Sequence, residues 1–328
     1  MLWPWLAGHP GPFSLFLVLL LALLLDVAFG DPRRLYAYVP HPVVLIGRAV
    51  AYGERRLNLP EHGAARRRDG ALLAVGVILG CAALGWGLTR LLTFPFGWLA
   101  EALLASTLLA YRGLYDGVRK VIVGLDHSLD AGRRAIGEIV GRDPDTLDEA
   151  GVARAAAESA AENFSDGVVV PIFWFALLGL PGLLAYKAVN TLDSMIGHRN
   201  ARYADFGWAA ARIDDAANWP GARLSALVIA LAALLIGGAN PLAALTTPWR
   251  DAGKHRSINA GWPEAALAGA LGLALAGPRS YGSERIEDAW MGDGRADLTV
   301  QDLRRVLDLY VAMGAVAVLL VLAAAVLL

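Results

Sequence analysis

The sequence predicts an all-α fold, a polytopic integral membrane helical protein with broken or re-entrant segments and cytoplasmic amphipathic helices. Hydrophobic residues make up 56% of the 328 residues, whereas a soluble domain has roughly 45–50%. Uncharged apolar stretches recur along the chain, and the basic residues cluster between them. The net charge of −1 argues against a nucleic-acid-binding protein. The single cysteine, Cys81, lies in an apolar stretch, so neither a disulfide framework nor a Cys-based metal site is expected.

The apolar stretches predict a single membrane-embedded domain, 1–328, that meets the membrane at seven segments. A helix needs about 20 apolar residues to span a bilayer, so the short stretches are predicted to re-enter or to pack tightly. The segments are 13–29, 71–89, 96–111, 167–186 (a span or re-entrant), 224–237, 264–277 (short, a span or re-entrant) and 307–328.

The basic residues predict the sidedness of the loops. Arginines crowd residues 31–69 and 112–166, and cytoplasmic loops carry an excess of Lys and Arg. We therefore expect a multi-pass protein of the cell (inner) membrane with its active face in the cytoplasm. Residues 116–140 and 145–163 are expected to form amphipathic helices, the second capped by Thr146 or Asp148.

The uncharged segment 167–186 allows two interpretations, because Pro171 and the GLPG sequence at 179–182 interrupt it. A kinked span would place 187–223 outside the cell, whereas a re-entrant hairpin would return that region to the cytoplasm. The arginines in 187–223 favour the hairpin. Broken membrane segments are tolerated where they line a cavity.

An acidic helix leads into this segment. Glu158, Glu162 and Asp166 follow one another at intervals of four residues, so in a helix they share a face. Like charges at this spacing repel, so a cation is expected opposite them, and Mg²⁺ carrying a polyphosphate is a natural candidate. The alternative is a solvated helix face.

Further polar residues lie beside the membrane segments. Asn190 and Asp193 share a helical face, and this pattern suits either a binding site or hydrogen bonds between helices. His41 stands on a stiff backbone between Pro40 and Pro42, which suits either a binding residue or a turn with an incidental histidine.

These patterns leave three functional classes open. The first is a membrane enzyme that uses Mg²⁺ and a phosphate-bearing substrate, the second a membrane transporter, and the third a non-catalytic membrane subunit. A transporter is supported by the broken segments but not by any evident repeat. The sequence lacks a GxxxxGK[ST] motif, which excludes a classical P-loop.

Several stretches, in order along almost the whole chain, resemble one family. They are Gly30-Asp31-Pro32, Pro40-His41-Pro42, ESAAENFSDGVVVP at 158–171, YKAVNTLDSMIGH at 186–198, Asp214-Asp215 with Asn218, and Ser257-Ile258-Asn259-Ala260-Gly261. The sequence is similar in these stretches to the CbiB/CobD family, the adenosylcobinamide-phosphate synthases of cobalamin biosynthesis.

The resemblance implies an enzyme, an ATP-dependent acid–amine ligase. It would join adenosylcobyric acid, a corrinoid, to aminopropanol or aminopropanol phosphate, with Mg²⁺ as cofactor and ATP as co-substrate. Membrane lipid and a homo-oligomer or a complex with other proteins of the pathway are the further expected partners. The alternative is a transporter or a non-catalytic subunit for a corrinoid or another phosphate-bearing ligand.

The residue types suggest roles for single residues, which we give as hypotheses because the resemblance does not assign each role. Asp193, His41 and Asp31 are the catalytic candidates, and Glu158, Glu162 and Asp166 are the candidate ligands of Mg²⁺ with ATP. The substrate-binding candidates are Asn163, Asn190, Arg212, Asn218, Arg223, Ser257 and Asn259.

Overall fold

The computed structural model describes residues 15–31, 36–59, 62–140, 144–281, 284–286 and 288–327, with the backbone alone at 279–281 and 284–286. Residues 13, 14 and 328 of the predicted segments lie outside the described residues. The described helices are α1 (Leu15–Phe29), α2 (Pro42–Leu57), α3 (Ala65–Leu91), α4 (Gly97–Ser106), α5 (Tyr111–His127), α6 (Leu129–Ile136), α7 (Glu149–Phe164), a π-turn (Ser165–Val169), α8 (Val170–Ile196), α9 (Trp208–Ala233), α10 (Pro241–Asp251), a 3₁₀ turn (Ala252–Lys254), α11 (Gly261–Leu271) and α12 (Val300–Leu327).

Two small antiparallel ribbons add strands that the sequence did not predict. β1 (Leu275–Ala276) pairs with β4 (Trp290–Met291), and β2 (Arg279–Tyr281) pairs with β3 (Glu284–Ile286). Strands of two or three residues carry no periodic apolar signal, because a period of two needs at least four residues to show. The fold is otherwise helical, as predicted.

The contacts between residues divide the chain into two compact units. Unit 1 consists of Met1–Ala110, Val170–Asn218 and Val321–Leu328, and unit 2 consists of Tyr111–Val169 and Trp219–Leu320.

In unit 1, α2, α3 and α8 pack around a cluster of apolar side chains. Val50, Ala188, Leu192 and Phe206 are fully buried there. Gly70 lies so close to the carbonyl group of Phe206 that any larger side chain would collide with it. Burial of such side chains stabilises a fold by about 1.5–3 kcal/mol each.

In unit 2, aromatic residues join α5, α7 and α12. The Tyr310 hydroxyl group donates a hydrogen bond to the carbonyl oxygen of Tyr111 over 3.0 Å, and the two rings stack with 4.9 Å between their centroids. Phe164 meets the Tyr310 ring edge-on at 5.4 Å. The paired hydroxyl group allows a tyrosine to be buried without an unsatisfied donor.

Helix α8 contains a sharp break at Gly179, which has φ 66° and ψ −153°. Beyond the break, the backbone of Gly182 returns to the carbonyl oxygen of Trp174. In a straight helix these two residues would be about 12 Å apart. The chain therefore turns back on itself at the predicted GLPG interruption, because only glycine adopts this conformation without strain.

Within the described residues, three stretches are long and apolar enough to cross a membrane, namely Ala65–Leu91, Glu149–Ile196 and Val300–Leu327. They include the predicted segments 71–89 and 167–186 and all but the last residue of 307–328. The helices at the predicted segments 96–111 and 264–277 are shorter than predicted, since α4 has 10 residues and α11 has 11. Each is therefore only about 15 Å long at 1.5 Å per residue.

The region predicted as two amphipathic helices forms three. The predicted helix 116–140 is interrupted at Ser128, whose hydroxyl group caps α6 by accepting a hydrogen bond from Ala131. Asp148 caps α7 in the same way, as one of the two predicted alternatives. α7 is buried on nearly all sides rather than amphipathic, because its many alanines allow close packing all round.

Candidate functional site

The three predicted Mg²⁺ ligands, Glu158, Glu162 and Asp166, have different environments, although all three belong to unit 2. Glu158 is buried, and its Oε1 accepts a hydrogen bond from the backbone N–H of Ala276 over 2.8 Å. Glu162 is exposed and Asp166 is half-buried in the π-turn. The carboxylate of Glu158 is therefore engaged by the backbone of the β1 strand, whereas Glu162 and Asp166 are more accessible to solvent.

These carboxylates do not form a closed metal cage. Across the described part of the chain, no three His, Cys, Asp or Glu side chains are grouped so that they could hold a metal ion. Mg²⁺ usually takes only one or two carboxylates and completes its octahedron with water and phosphate oxygens. Binding of Mg²⁺ through the exposed Glu162 and the half-buried Asp166, with phosphate oxygens and water as the other ligands, fits this arrangement better than binding by all three carboxylates. Asn163, beside them, donates to the Ser159 hydroxyl group over 2.7 Å.

In unit 1, hydrogen bonds join polar residues of α8 and of the first half of α9. The Tyr186 hydroxyl group donates to Asn218 Oδ1 over 2.8 Å, and Asn218 Nδ2 donates to the carbonyl oxygen of Asp214 over 3.1 Å. Asn218 is 1% exposed. The oxygen and the nitrogen of its amide group therefore both form hydrogen bonds inside unit 1, as expected of a buried asparagine with a structural role.

The other candidates of this region are more open. Asn190 and Asp193 are both half-buried near the end of α8, and Asp215 and His198 act electrostatically on Asp193. The Arg212 guanidinium lies 3.5 Å from Asp215, with which it forms an (i, i+3) pair.

The loop before α2 brings Asp31 and His41 together. His41 Nε2 lies 3.5 Å from Asp31 Oδ1, and the Tyr36 ring lies 4.7 Å from the imidazole. Burial, together with the charge of Asp31, raises the pKa of Tyr36 to about 12. His41 Nδ1 accepts the backbone N–H of Val43 over 3.1 Å and so caps α2. Because Nδ1 is used as the acceptor of this cap, a base role for His41 would require the cap to open.

Arg223, in unit 2, occupies the most distinctive position among the predicted substrate-binding residues. Its guanidinium group lies between two indole rings, 4.5 Å from the centroid of Trp219 and 4.7 Å from that of Trp262. It donates to Asn259 Oδ1 over 2.9 Å, to the Trp219 carbonyl oxygen over 3.0 Å and to the Ile258 carbonyl oxygen over 3.1 Å.

All these acceptors, among the described residues, are neutral oxygens. Partial burial lowers the pKa of the Arg223 guanidinium from its ordinary value. A guanidinium that is oriented but not neutralised is suited to bind a phosphate or carboxylate group.

The loop that carries Asn259 is held by its own turn. The Ser257 hydroxyl group accepts the backbone N–H groups of Asn259 and Ala260 over 3.2 and 3.1 Å. Ser257, a predicted substrate-binding residue, therefore shapes the loop that positions Asn259 against Arg223.

Two features of unit 2 were not predicted from the sequence. Trp219 lies four residues before Arg223, a spacing that could have been recognised as one helical face, whereas Trp262 is distant in sequence. The second feature is Asp251, whose carboxylate is 2% exposed and accepts hydrogen bonds from Arg250, Lys254 and the backbone N–H of Gly292 over 2.6–2.9 Å.

The described residues define a helical protein with three stretches long and apolar enough to cross a membrane and a candidate binding position at Arg223, beside two tryptophans. A family model described as "CobD/Cbib protein" matches residues 19–310. The chain therefore belongs to the CobD/CbiB family, as its motifs predicted.

Curated relatives are similar over most of their length. "Cobalamin biosynthesis protein CobD" of Sinorhizobium sp is 51% identical over 296 residues, which cover 88% of this chain and 92% of the relative. The proteins of the same name from Brucella anthropi and Rhodobacter capsulatus are 49% and 46% identical, over 90% and 89% of this chain and 92% of each relative. No solved structure matches the chain.

Proposed function

We propose that the protein acts in cobalamin biosynthesis as a membrane-embedded ATP-dependent ligase. It would join adenosylcobyric acid to aminopropanol or aminopropanol phosphate. The observation that carries the proposal is membership of the CobD/CbiB family over residues 19–310, with relatives about 50% identical that are named for this pathway.

The chemistry that we infer has two steps. A carboxylate oxygen of the corrinoid takes the terminal phosphoryl group of ATP, which releases ADP and gives an acyl phosphate. The neutral amine then attacks the acyl carbon, the C–O bond to phosphate breaks, and the amine proton passes to a base. Activation is needed because a free carboxylate is a poor acyl donor at neutral pH.

We assign the metal-binding and base roles to the following residues. Glu162 and Asp166 would hold Mg²⁺ on ATP, where the ion supplies charge neutralisation of the phosphate oxygens. Asp193, half-buried beside Asp215 and His198, is the candidate base. Asp31 and His41 are the alternative, and their mutual contact makes them a pair rather than two independent candidates.

Arg223 is the candidate phosphate-binding residue, since it is held by neutral groups and stacked between two indoles. Arg212 is less suited because Asp215 already pairs with it. Asn190 and Asn259 present amide groups that suit the amide-rich edge of a corrinoid, although Asn259 Oδ1 already accepts from Arg223.

The test is a mass measurement on the detergent-purified protein with Mg²⁺-ATP, adenosylcobyric acid and aminopropanol phosphate. We expect a corrinoid product that is heavier by one amide-linked aminopropanol phosphate and that requires every component. A folded protein that binds the corrinoid but forms no product would overturn the ligase and favour a transporter or a non-catalytic subunit.

The nucleotide site has its own test. Glu162→Gln combined with Asp166→Asn should reduce turnover by about 100-fold or more, since each removes a charged ligand. Glu149→Gln, a change of an exposed acid in the first turn of the same helix, is the matched control and should leave turnover unchanged. Full activity of the double variant would remove these residues from the site.

A further inference from the structure

We infer that a groove between α2 and α3 binds one anionic phospholipid, with an acyl chain in the groove and the headgroup at its arginine-rich end. The inference rests on the proposed membrane placement but not on the ligase reaction. The groove and its rim lie entirely in unit 1.

The groove is an apolar trough of about 500 Å³. Ile46, Ala49 and Leu57 of α2 form one wall, and residues of α3 from Leu72 to Leu84 form the other. Ligand sites in proteins have volumes of about 300–1,000 Å³, so the trough is large enough for a single molecule with a flexible chain.

Glycines keep the trough open along α3. A Cβ atom built at Gly76 or Gly80 would meet no atom within 4 Å. At the base of the trough, Leu73 fills the space above Gly53 and joins the two helices. Only 11% of the most apolar window of α3 is buried, against 56% and 44% for the other two candidate spans, so α3 offers the most surface to lipid.

The length of the trough matches one leaflet of a bilayer. Leu72 and Leu84 are twelve residues apart, which is about 18 Å along a helix. One leaflet of the hydrocarbon core is about 15 Å thick. An acyl chain has this reach, whereas a spanning helix from a second copy would need a contact surface across both leaflets.

The N-terminal end of the trough is basic. Arg66 lies on the same helical face of α3 as Leu73 and Leu84, and its Nε donates to Asn58 Oδ1 over 2.8 Å. Asn58 directly follows Leu57 of the opposite wall, so the guanidinium group stands at the mouth of the trough.

More positive charge surrounds this mouth than the local carboxylates neutralise. The buried Glu54 pairs with Arg202 over 2.9 Å, and the buried Asp69 pairs with Arg68 over 2.9 Å. Among the described residues at this end of the two helices, the remaining arginines are Arg55, Arg56, Arg66 and Arg67. Such an excess attracts an anionic headgroup, and by the positive-inside rule it faces the cytoplasmic leaflet.

The experiment titrates the full-length protein in detergent with phosphatidylglycerol or phosphatidylcholine and counts bound lipid by native mass spectrometry. We expect one phosphatidylglycerol to be retained, and phosphatidylcholine to bind roughly tenfold more weakly. Gly76→Leu with Gly80→Leu should fill the trough and weaken retention about tenfold or more, because the acyl chain loses its apolar contacts.

Gly87→Leu is the matched control, because a Cβ atom there also meets nothing within 4 Å but the residue does not line the trough. Equal lipid retention in the filled variant and the control would overturn the inference. A dimeric wild type that becomes monomeric on filling would overturn it too, in favour of a second copy in the trough.

The headgroup is tested by Arg56→Gln and Arg66→Gln, each expected to lower the preference for phosphatidylglycerol roughly fivefold. Arg90→Gln is the control for Arg56, since both arginines lie 5.2 Å above an aromatic ring one turn earlier in their helix. An unchanged preference in both variants would overturn the headgroup assignment.

Recovery of the protein outside the membrane fraction would refute the membrane placement, and absence of ligation with lipid retained would refute only the proposed reaction.

Discussion

Arg223 and Asp251 are both charged residues of unit 2, yet their partners differ in a way that separates binding from structure. Asp251 is buried and compensated by two cations and a backbone N–H group. Arg223 is oriented by neutral oxygens and stacked on two indoles. A compensated charge supports the fold, whereas an oriented but uncompensated charge is available to a ligand.

The largest expected effect is on stability at Asp251. Asp251→Ala would leave the N–H group of Gly292 unsatisfied and two cations without their buried partner, at a cost of about 3 kcal/mol. Denaturant or thermal unfolding measures this cost. Asp293→Ala removes an exposed carboxylate that also pairs with Arg250, and should cost less than about 1 kcal/mol. Equal losses of unfolding free energy in both variants would show that the buried Asp251 stabilises the fold no more than an exposed carboxylate does.

Arg223 should show the opposite behaviour. Arg223→Gln is expected to raise the KM for the phosphate-bearing co-substrate about 30-fold, because a charge-assisted contact is lost, while the unfolding transition moves little. Arg212→Gln, which changes an exposed arginine already paired with Asp215, is the control. A large loss of stability without an effect on KM would make Arg223 a structural residue.

The pH dependence of folding sharpens the same contrast. Hydrogen bonds from Arg250 and Lys254 hold the pKa of Asp251 well below its ordinary value of 3.8. A carboxyl group whose pKa is lower in the folded than in the unfolded protein stabilises the fold at pH values above its unfolded pKa. This stabilisation is lost as the pH falls. Stability should therefore decline from about pH 4 downwards, by roughly 1–2 kcal/mol at pH 2. The decline should be shallower in Asp251→Asn, and an equal decline in both proteins would contradict this assignment.

The smallest expected effect concerns the indole rings. Trp262→Leu removes one face of the stack on Arg223 and should weaken binding of the phosphate-bearing substrate about fivefold. Trp249 touches the Trp262 ring edge-on at 5.0 Å but is 80% exposed, so Trp249→Leu should have a smaller effect. A greater effect at Trp249 would indicate that the ligand lies outside the Arg223 stack.

Part of this architecture was predictable from the sequence, because local signals determine it. The Asp148 cap, the break at Gly179 and the apolar course of α3 and α12 follow from capping, glycine and hydrophobicity rules. The burial of α7 was not predictable in this way, since a helix rich in alanine has no clear apolar face.

The partners of the charged residues could not be predicted, because tertiary contacts choose them. Asp251 and Gly292 are 41 residues apart, and Arg223 and Asn259 are 36 apart. Their residue types suggested polar roles, but only the folded chain distinguishes a neutralised carboxylate from an uncompensated guanidinium. The same holds for Glu158, which shares a sequence pattern with Glu162 but binds the backbone of Ala276.

The proposed ATP-driven formation of an amide can be followed through the fate of one oxygen atom. Adenosylcobyric acid labelled with ¹⁸O in its free carboxylate is converted by the purified protein with Mg²⁺-ATP and aminopropanol phosphate, and the released inorganic phosphate is analysed by mass. We expect one ¹⁸O atom in the phosphate for each amide formed, since the acyl phosphate breaks at its C–O bond. Release of unlabelled phosphate alongside amide formation would contradict it.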